Sequence, residues 1–138
     1  MIEVMDLGRI DYIKALNIQK ELVWEIKGLK RQDTLLVCEH QNIFTIGRCG
    51  SRENLLADEK VLSDKGLNVL RVARGGDITF HGIGQIVLYP LLGLRNYGKD
   101  ILIYLNALED VVIDFLKKYS IKGESKEGLR GVWVSDEK

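Results

Sequence analysis

The sequence predicts a single α+β domain, and three observations carry that prediction. Two stretches repeat apolar residues at helical spacing behind an acidic capping residue, and several short runs are apolar and partly β-branched at strand length. Nothing between them reads as a linker, a repeat or a low-complexity tract. In chain order, Ile2 to Leu7 is a short strand candidate. Asp11 caps a helix from Tyr12 to about Lys27, with Ile13, Leu16, Ile18, Leu22, Val23 and Ile26 as its stripe and Gly28 as its stop. Thr34 to Cys38 and Ile43 to Ile46 are continuous apolar strands, the second closed by Gly47. Asp58 to Lys65 is a short helix stopped by Gly66, and Leu67 to Val72 is a strand running into a glycine-rich loop. Gln85 to Leu92 is the next strand, with Pro90 at or near its end. Asp100 caps the strongest helix, whose apolar face is Ile101, Leu105, Leu108, Val112, Phe115 and Leu116. Ile121 and Val132-Trp133-Val134 are late strand candidates on either side of the polar segment Gly123 to Arg130.

A chain of 138 residues, 46% hydrophobic and 29% charged with one proline, is long enough for one real core. Twenty basic and twenty acidic residues cancel, which argues against nonspecific nucleic-acid binding, since such domains carry a basic excess. Local clusters remain: Lys27, Lys30 and Arg31 form one, Arg71 and Arg74 another, and either suits an acidic partner protein. Cys38 and Cys49 make neither a disulfide framework nor a zinc site by spacing. The acidic start does not read as a signal peptide and no apolar run is long enough to span a membrane, so a cytoplasmic location is expected.

The most informative stretch is Arg74 to Gln85, which places four of the chain's 14 glycines around one of its two histidines. Glycine reaches positive φ and lets another group approach the main chain without a Cβ in the way. The polar set Arg74, Asp77, Thr79, His81 and Gln85 could then orient a ligand. A lone Gly-Gly beside a surface histidine would be a plain β-turn; twelve residues of this composition favour a binding loop with Gly75, Gly76, Gly82 and Gly84 bordering a concave, partly apolar pocket.

These residues resemble the signature of the lipoate-protein octanoyltransferases, approximately Arg-Gly-Gly-x-x-Thr-Tyr-His-Gly-Pro-Gly-Gln. Arg74, Gly75, Gly76, Thr79, His81, Gly82, Gly84 and Gln85 match; Phe80 replaces the tyrosine and Ile83 the proline. Glu39 to Arg48, then Glu53-Asn54-Leu55-Leu56, are similar to the family's upstream segments, and Gly131-Val132-Trp133-Val134 to the segment before its catalytic lysine. The resemblance implies the fold of the biotin and lipoate ligases, a mixed sheet with packed helices, here one domain over residues 1–138 that is incomplete at its C-terminus. It implies transfer of an octanoyl group from acyl carrier protein to a lysine of a lipoyl domain, in 2-oxoacid dehydrogenase complexes or the glycine cleavage H protein, through a cysteine acyl-enzyme.

Carried over residue by residue, Lys138 takes the catalytic lysine's place, and Arg74, Gly75, Gly76, Asp77, Ile78, Thr79, Phe80, His81 and Tyr89 line the substrate pocket. His40 also matches a family histidine, with a structural role at a strand end. No metal, cofactor, nucleic acid or membrane is implied. The family's cysteine lies beyond the matched part, so the nucleophile is expected outside this chain, in a complementing C-terminal polypeptide if the enzyme is split. Cys38 sits in an apolar strand, where thiols are inert; Cys49, between Arg48 and Arg52, has cations that stabilise a thiolate but not the family position. Two other readings stay open: an ATP-dependent lipoate or biotin ligase on the same fold, and a non-catalytic fragment that binds acyl groups or a partner.

Overall fold

The computed structural model describes residues 1–137, with the side chain of Glu59 excepted. Its contacts group into two compact units, Met1–Leu92 and Gly93–Lys138. Together they make a mixed α+β protein, as the sequence predicts. No helix among the described residues is long and apolar enough to cross a membrane.

The first unit begins with strand β1 (Glu3–Ile10), helix α1 (Tyr12–Lys27) and strand β2 (Thr34–His40), with β1 and β2 parallel. Parallel neighbours need a crossover, and α1 is that crossover. Asp11 caps it as expected, its carboxylate accepting from the Lys14 N–H at 3.0 Å. Gly28 ends it, as expected. Gly28 stays at φ −77° and Leu29 takes the left-handed turn at +59°, while the Lys30 N–H reaches back to the Glu25 carbonyl at 2.9 Å. A leucine there costs about 1–2 kcal/mol of backbone energy. Tyr12, Ala15, Leu22 and Ile26 form the buried face of α1. Along β2 the alternation is complete: Thr34, Leu36, Cys38 and His40 are buried, and Leu35, Val37 and Glu39 lie half-buried on the other side.

The unit continues with strand β3 (Ile43–Ile46), a 3-10 turn (Arg52–Asn54), helix α2 (Glu59–Asp64), and strands β4 (Asn68–Arg71), β5 (Ile78–His81) and β6 (Val87–Leu91). One sheet has the order β1-β2-β6 with β6 antiparallel to β2, which makes β6 an outer strand and accommodates Pro90 opposite Leu35. The other has the order β4-β3-β5, with β4 parallel and β5 antiparallel to β3. Strand β5 lies inside the glycine-rich stretch, where the sequence suggests only a loop.

The second unit holds α3 (Ile101–Lys117) and a hairpin of β7 (Glu124–Lys126) and β8 (Leu129–Trp133). The Asp100 carboxylate caps α3 through the Leu102 and Ile103 N–H groups at 2.7 and 3.3 Å. The Glu109 carboxylate ties α3 to the hairpin by accepting from the Gly131 N–H at 2.8 Å. No residue of α3 is fully buried in the described structure. The hairpin corrects the sequence reading: β7 falls within the polar segment and not at Ile121, with Gly128 at φ +75° making the turn.

Candidate functional site

The site is built where β5 faces α1. Side chains alternate along a strand, so Thr79 and His81 point one way and Ile78 and Phe80 the other. On the first side lies a cavity of ≈ 560 Å³. Helix α1 contributes Tyr12, Ile13, Leu16, Gln19 and Lys20 to its wall, and β4 with its exit contributes Leu70, Arg71, Val72, Ala73 and Arg74. Thr79, His81 and Tyr89 complete the lining, which among the described residues contains no carboxylate.

Four of the expected pocket residues therefore line one cavity: Arg74, Thr79, His81 and Tyr89. Gly75, Gly76, Asp77, Ile78 and Phe80 are not among its lining residues. Phe80 instead packs on its cross-strand partner Phe44, ring centroids 4.9 Å apart. Asp77 faces the segment after β3, its carboxylate accepting from the Asn54 amide at 2.6 Å and its carbonyl from the Gly47 N–H at 2.8 Å. The glycines shape the loop and do not border the cavity. Gly76 holds φ at +76° and Gly84 at +88°, a region a side chain would resist.

Arg74 is spent on the same loop. Its Nε donates to Thr45 Oγ1 at 3.1 Å, its Nη2 to the Thr45 and Asp77 carbonyls at 2.7 and 3.0 Å, and its Nη1 to the Gly75 carbonyl at 2.7 Å. A guanidinium has about five N–H donors, so little remains for a ligand. Thr45, wholly buried on β3, is the anchor.

The polar end of the cavity is a cluster of two imidazoles and two phenols. His40, wholly buried, lies with its ring 5.1 Å from Tyr12, 5.5 Å from His81 and 5.9 Å from Tyr89. The Ile10 carbonyl, 3.0 Å from His40 Nδ1, can only accept, which puts the proton on Nδ1 and leaves Nε2 to accept from the Tyr89 hydroxyl at 2.8 Å. His40 thus has the strand-end structural role expected of it, and it also fixes Tyr89. By the same logic His81 donates from Nδ1 to Gln85 Oε1 at 3.0 Å and keeps Nε2 unprotonated. Burial lowers the His81 pKa; the Gln85 hydrogen bond offsets part of this, and His40 and Arg74 add smaller lowering effects. Burial pushes the Tyr89 and Tyr12 hydroxyls upward. Near neutral pH His81 is therefore an uncharged imidazole and both phenols are protonated, with His81 Nε2 available as a base.

The lowered His81 pKa has a stability consequence. The unfolded chain takes up the proton near pH ~6.5 while the folded protein resists it. The contribution is present above that value and lost as the pH falls through the lower folded pKa. Denaturant midpoints measured downward from neutral pH should fall more steeply for the wild type than for His81→Gln; parallel profiles would show that His81 stays solvated.

Tyr12, Gln19 and Thr45 escape a reading of the sequence. Tyr12 enters only as the first residue of a helix, and its meeting with His40 depends on the parallel pairing of β1 with β2. Cys38 is buried with its thiol pKa raised, first by desolvation and then by Asp6, and its Sγ lies 3.6 Å from His40 Nε2. Cys49 is exposed and is not a lining residue. Lys138 lies outside the described residues. Among those residues no group of three or more His, Cys, Asp or Glu side chains is arranged to hold a metal ion.

The sequence matches the family model of the lipoyl protein ligase A/B catalytic domain over residues 11–138. It is 45% identical over 132 residues to an octanoyltransferase of Solibacter usitatus, covering 96% of this chain and 60% of that protein. It is 42% identical over 137 residues to an octanoyltransferase of Parabacteroides distasonis, covering 96% and 62%. The chain thus spans about 60% of the length of these curated relatives. Among solved structures, LipL1 of P. falciparum in complex with lipoate is similar in fold, with a TM-score of 0.61 at 17% identity over 99% of this chain and 41% of that one.

Proposed function

We infer the activity from one premise: the chain belongs to the lipoyl protein ligase A/B catalytic domain family. On that premise it is the larger part of an octanoyltransferase, which moves an octanoyl group from acyl carrier protein to the lysine of a lipoyl domain in the cytoplasm. A cysteine thiolate attacks the thioester carbonyl and the carrier thiol leaves; the target amine then attacks the acyl-enzyme, loses its proton, and the cysteine departs. The supporting observation is the cavity. Its wall is apolar along Leu16, Leu70 and Val72, it holds no carboxylate among the described residues, and its polar end is the neutral pair His81 and Tyr89. An uncharged acyl thioester fits such a place. Residues 1–138 are read as one incomplete domain, since the family match runs from 11 to 138 through both compact units.

The nucleophile in this reading is neither Cys38, which is buried and raised in pKa, nor Cys49, which is not a lining residue. It belongs to the part of the relatives' length that these residues do not span, in a continuation or a complementing polypeptide. Lys138 is the proton shuttle beside it. The 138 residues should bind a neutral octanoyl thioester without gaining the octanoyl mass. Adding a polypeptide with the rest of the family pattern should bring transfer to a lipoyl domain, without ATP, and Lys138→Ala in that enzyme should slow acyl-enzyme formation by about 10²-fold or more. Intact-mass measurement checks each step. An octanoyl adduct on the 138 residues that disappears in Cys49→Ser, or a requirement for ATP, would overturn the reading.

A further inference from the structure

The basic pair Arg71 and Arg74 that stands out in the sequence is divided by the fold. Arg74 turns inward and spends its donors on Thr45, Gly75 and Asp77. Arg71 stays exposed on β4, with one hydrogen bond from Nη2 to the Gly50 carbonyl at 3.2 Å. Beside the committed Arg74, the cavity's other cation is Lys20, exposed on α1 and unremarkable in the sequence. Among the described residues no carboxylate pairs with either side chain, and none lines the cavity. Two uncompensated cations on the wall of a mainly apolar cavity suit a ligand with an apolar chain and an anionic group.

An acyl thioester carries no charge, so the anion must belong to whatever the acyl chain is attached to. We propose that Lys20 and Arg71 bind the phosphate of the phosphopantetheine arm that delivers the acyl chain. This rests on the octanoyltransferase reading and deepens it by naming the donor's recognition group. The phosphate would be held at the surface, where both side chains are solvated, so the interaction adds selectivity for the donor and is sensitive to salt. The cluster of His40, His81 and Tyr89 has no part in it, because those groups are uncharged or committed to one another.

The test compares S-octanoyl-pantetheine, which is neutral, with S-octanoyl-4′-phosphopantetheine and octanoyl-acyl carrier protein as ligands of the full 138-residue chain. The wild type should prefer the phosphorylated arm to the neutral one by ~5-fold or more at low salt, a preference largely gone at about 1 M salt. Lys20→Gln/Arg71→Gln should lose that preference, Lys20→Gln alone should lose part of it, and the charge-matched control Lys14→Gln on α1 should keep it. Circular dichroism confirms that each variant folds, and Lys20→Gln serves if the double variant does not. Binding of the neutral thioester without any preference for phosphate would overturn this proposal and leave the octanoyltransferase reading standing. A preference for the carrier protein alone would overturn it in favour of contacts to the carrier's own acidic residues. No binding of the neutral thioester would overturn both.

Discussion

Gly47→Ala is expected to destabilise the protein by about 2–4 kcal/mol and to lower octanoyl-thioester affinity by more than about ten-fold. Gly47 follows β3 directly, and its N–H donates to the Asp77 carbonyl at 2.8 Å. A Cβ on it would lie 2.3 Å from the Gly76 oxygen and 2.7 Å from the Gly75 oxygen. Those neighbours are main chain and cannot rotate aside, so the 74–77 loop has to move. The loop in turn carries the carbonyls that Arg74 grips, and Arg74, Thr79 and His81 all line the cavity. Gly75→Ala is the matched control, because nothing lies within 4 Å of its Cβ position and its φ is not positive; it should stay within ~0.5 kcal/mol of wild type. Denaturant midpoints and the affinity for S-octanoyl-pantetheine measure both. A Gly47→Ala protein with the wild-type midpoint would mean that the two loops are not in close register.

That pair of glycines shows what a linear reading reaches. Gly75 and Gly76 stand out in the sequence because they are adjacent, yet Gly47, which reads only as the stop of a strand, has the tighter steric requirement. The requirement comes from a residue almost thirty positions away and leaves no local trace. The helices are different: Asp11 and Asp100 announce them through capping chemistry that operates over three residues, so their starts are legible. Strand β5 is hidden by its own neighbours, since Ile78-Thr79-Phe80-His81 has strand-forming residues but sits between glycine pairs that suggest a loop. Missing that strand also hides its alternation, which divides the expected pocket residues between two faces. Thr79 and His81 face the cavity and Phe80 faces Phe44. Strand β7 is lost for another reason, although its partner β8 is anticipated at Val132-Trp133: Glu124-Ser125-Lys126 is polar throughout and offers no period-2 pattern.

His40 is the residue whose removal should cost most in stability. It is wholly buried, its Nδ1–H satisfies the Ile10 carbonyl and its Nε2 receives the Tyr89 hydroxyl. His40→Ala empties the ring volume and removes the imidazole that the Ile10 carbonyl and the Tyr89 hydroxyl both use, and the expected loss is about 3–5 kcal/mol. Volume can be separated from hydrogen bonding with His40→Phe, which refills the space but still takes away the acceptor of the Tyr89 hydroxyl. Tyr89→Phe alone should cost about 1–2 kcal/mol, because it removes one half of a buried hydrogen bond. Once the hydroxyl is gone, His40→Phe has less left to break, so the double variant should be more stable than the sum of the singles predicts, by roughly 1–2 kcal/mol. The same coupling should appear in ligand binding. Tyr89 lines the cavity and His40 does not, so a loss of octanoyl-thioester affinity in His40→Phe has to act through the orientation of Tyr89. In a Tyr89→Phe background that loss should disappear. Additive energies in both measurements would show that the 2.8 Å contact holds nothing in place.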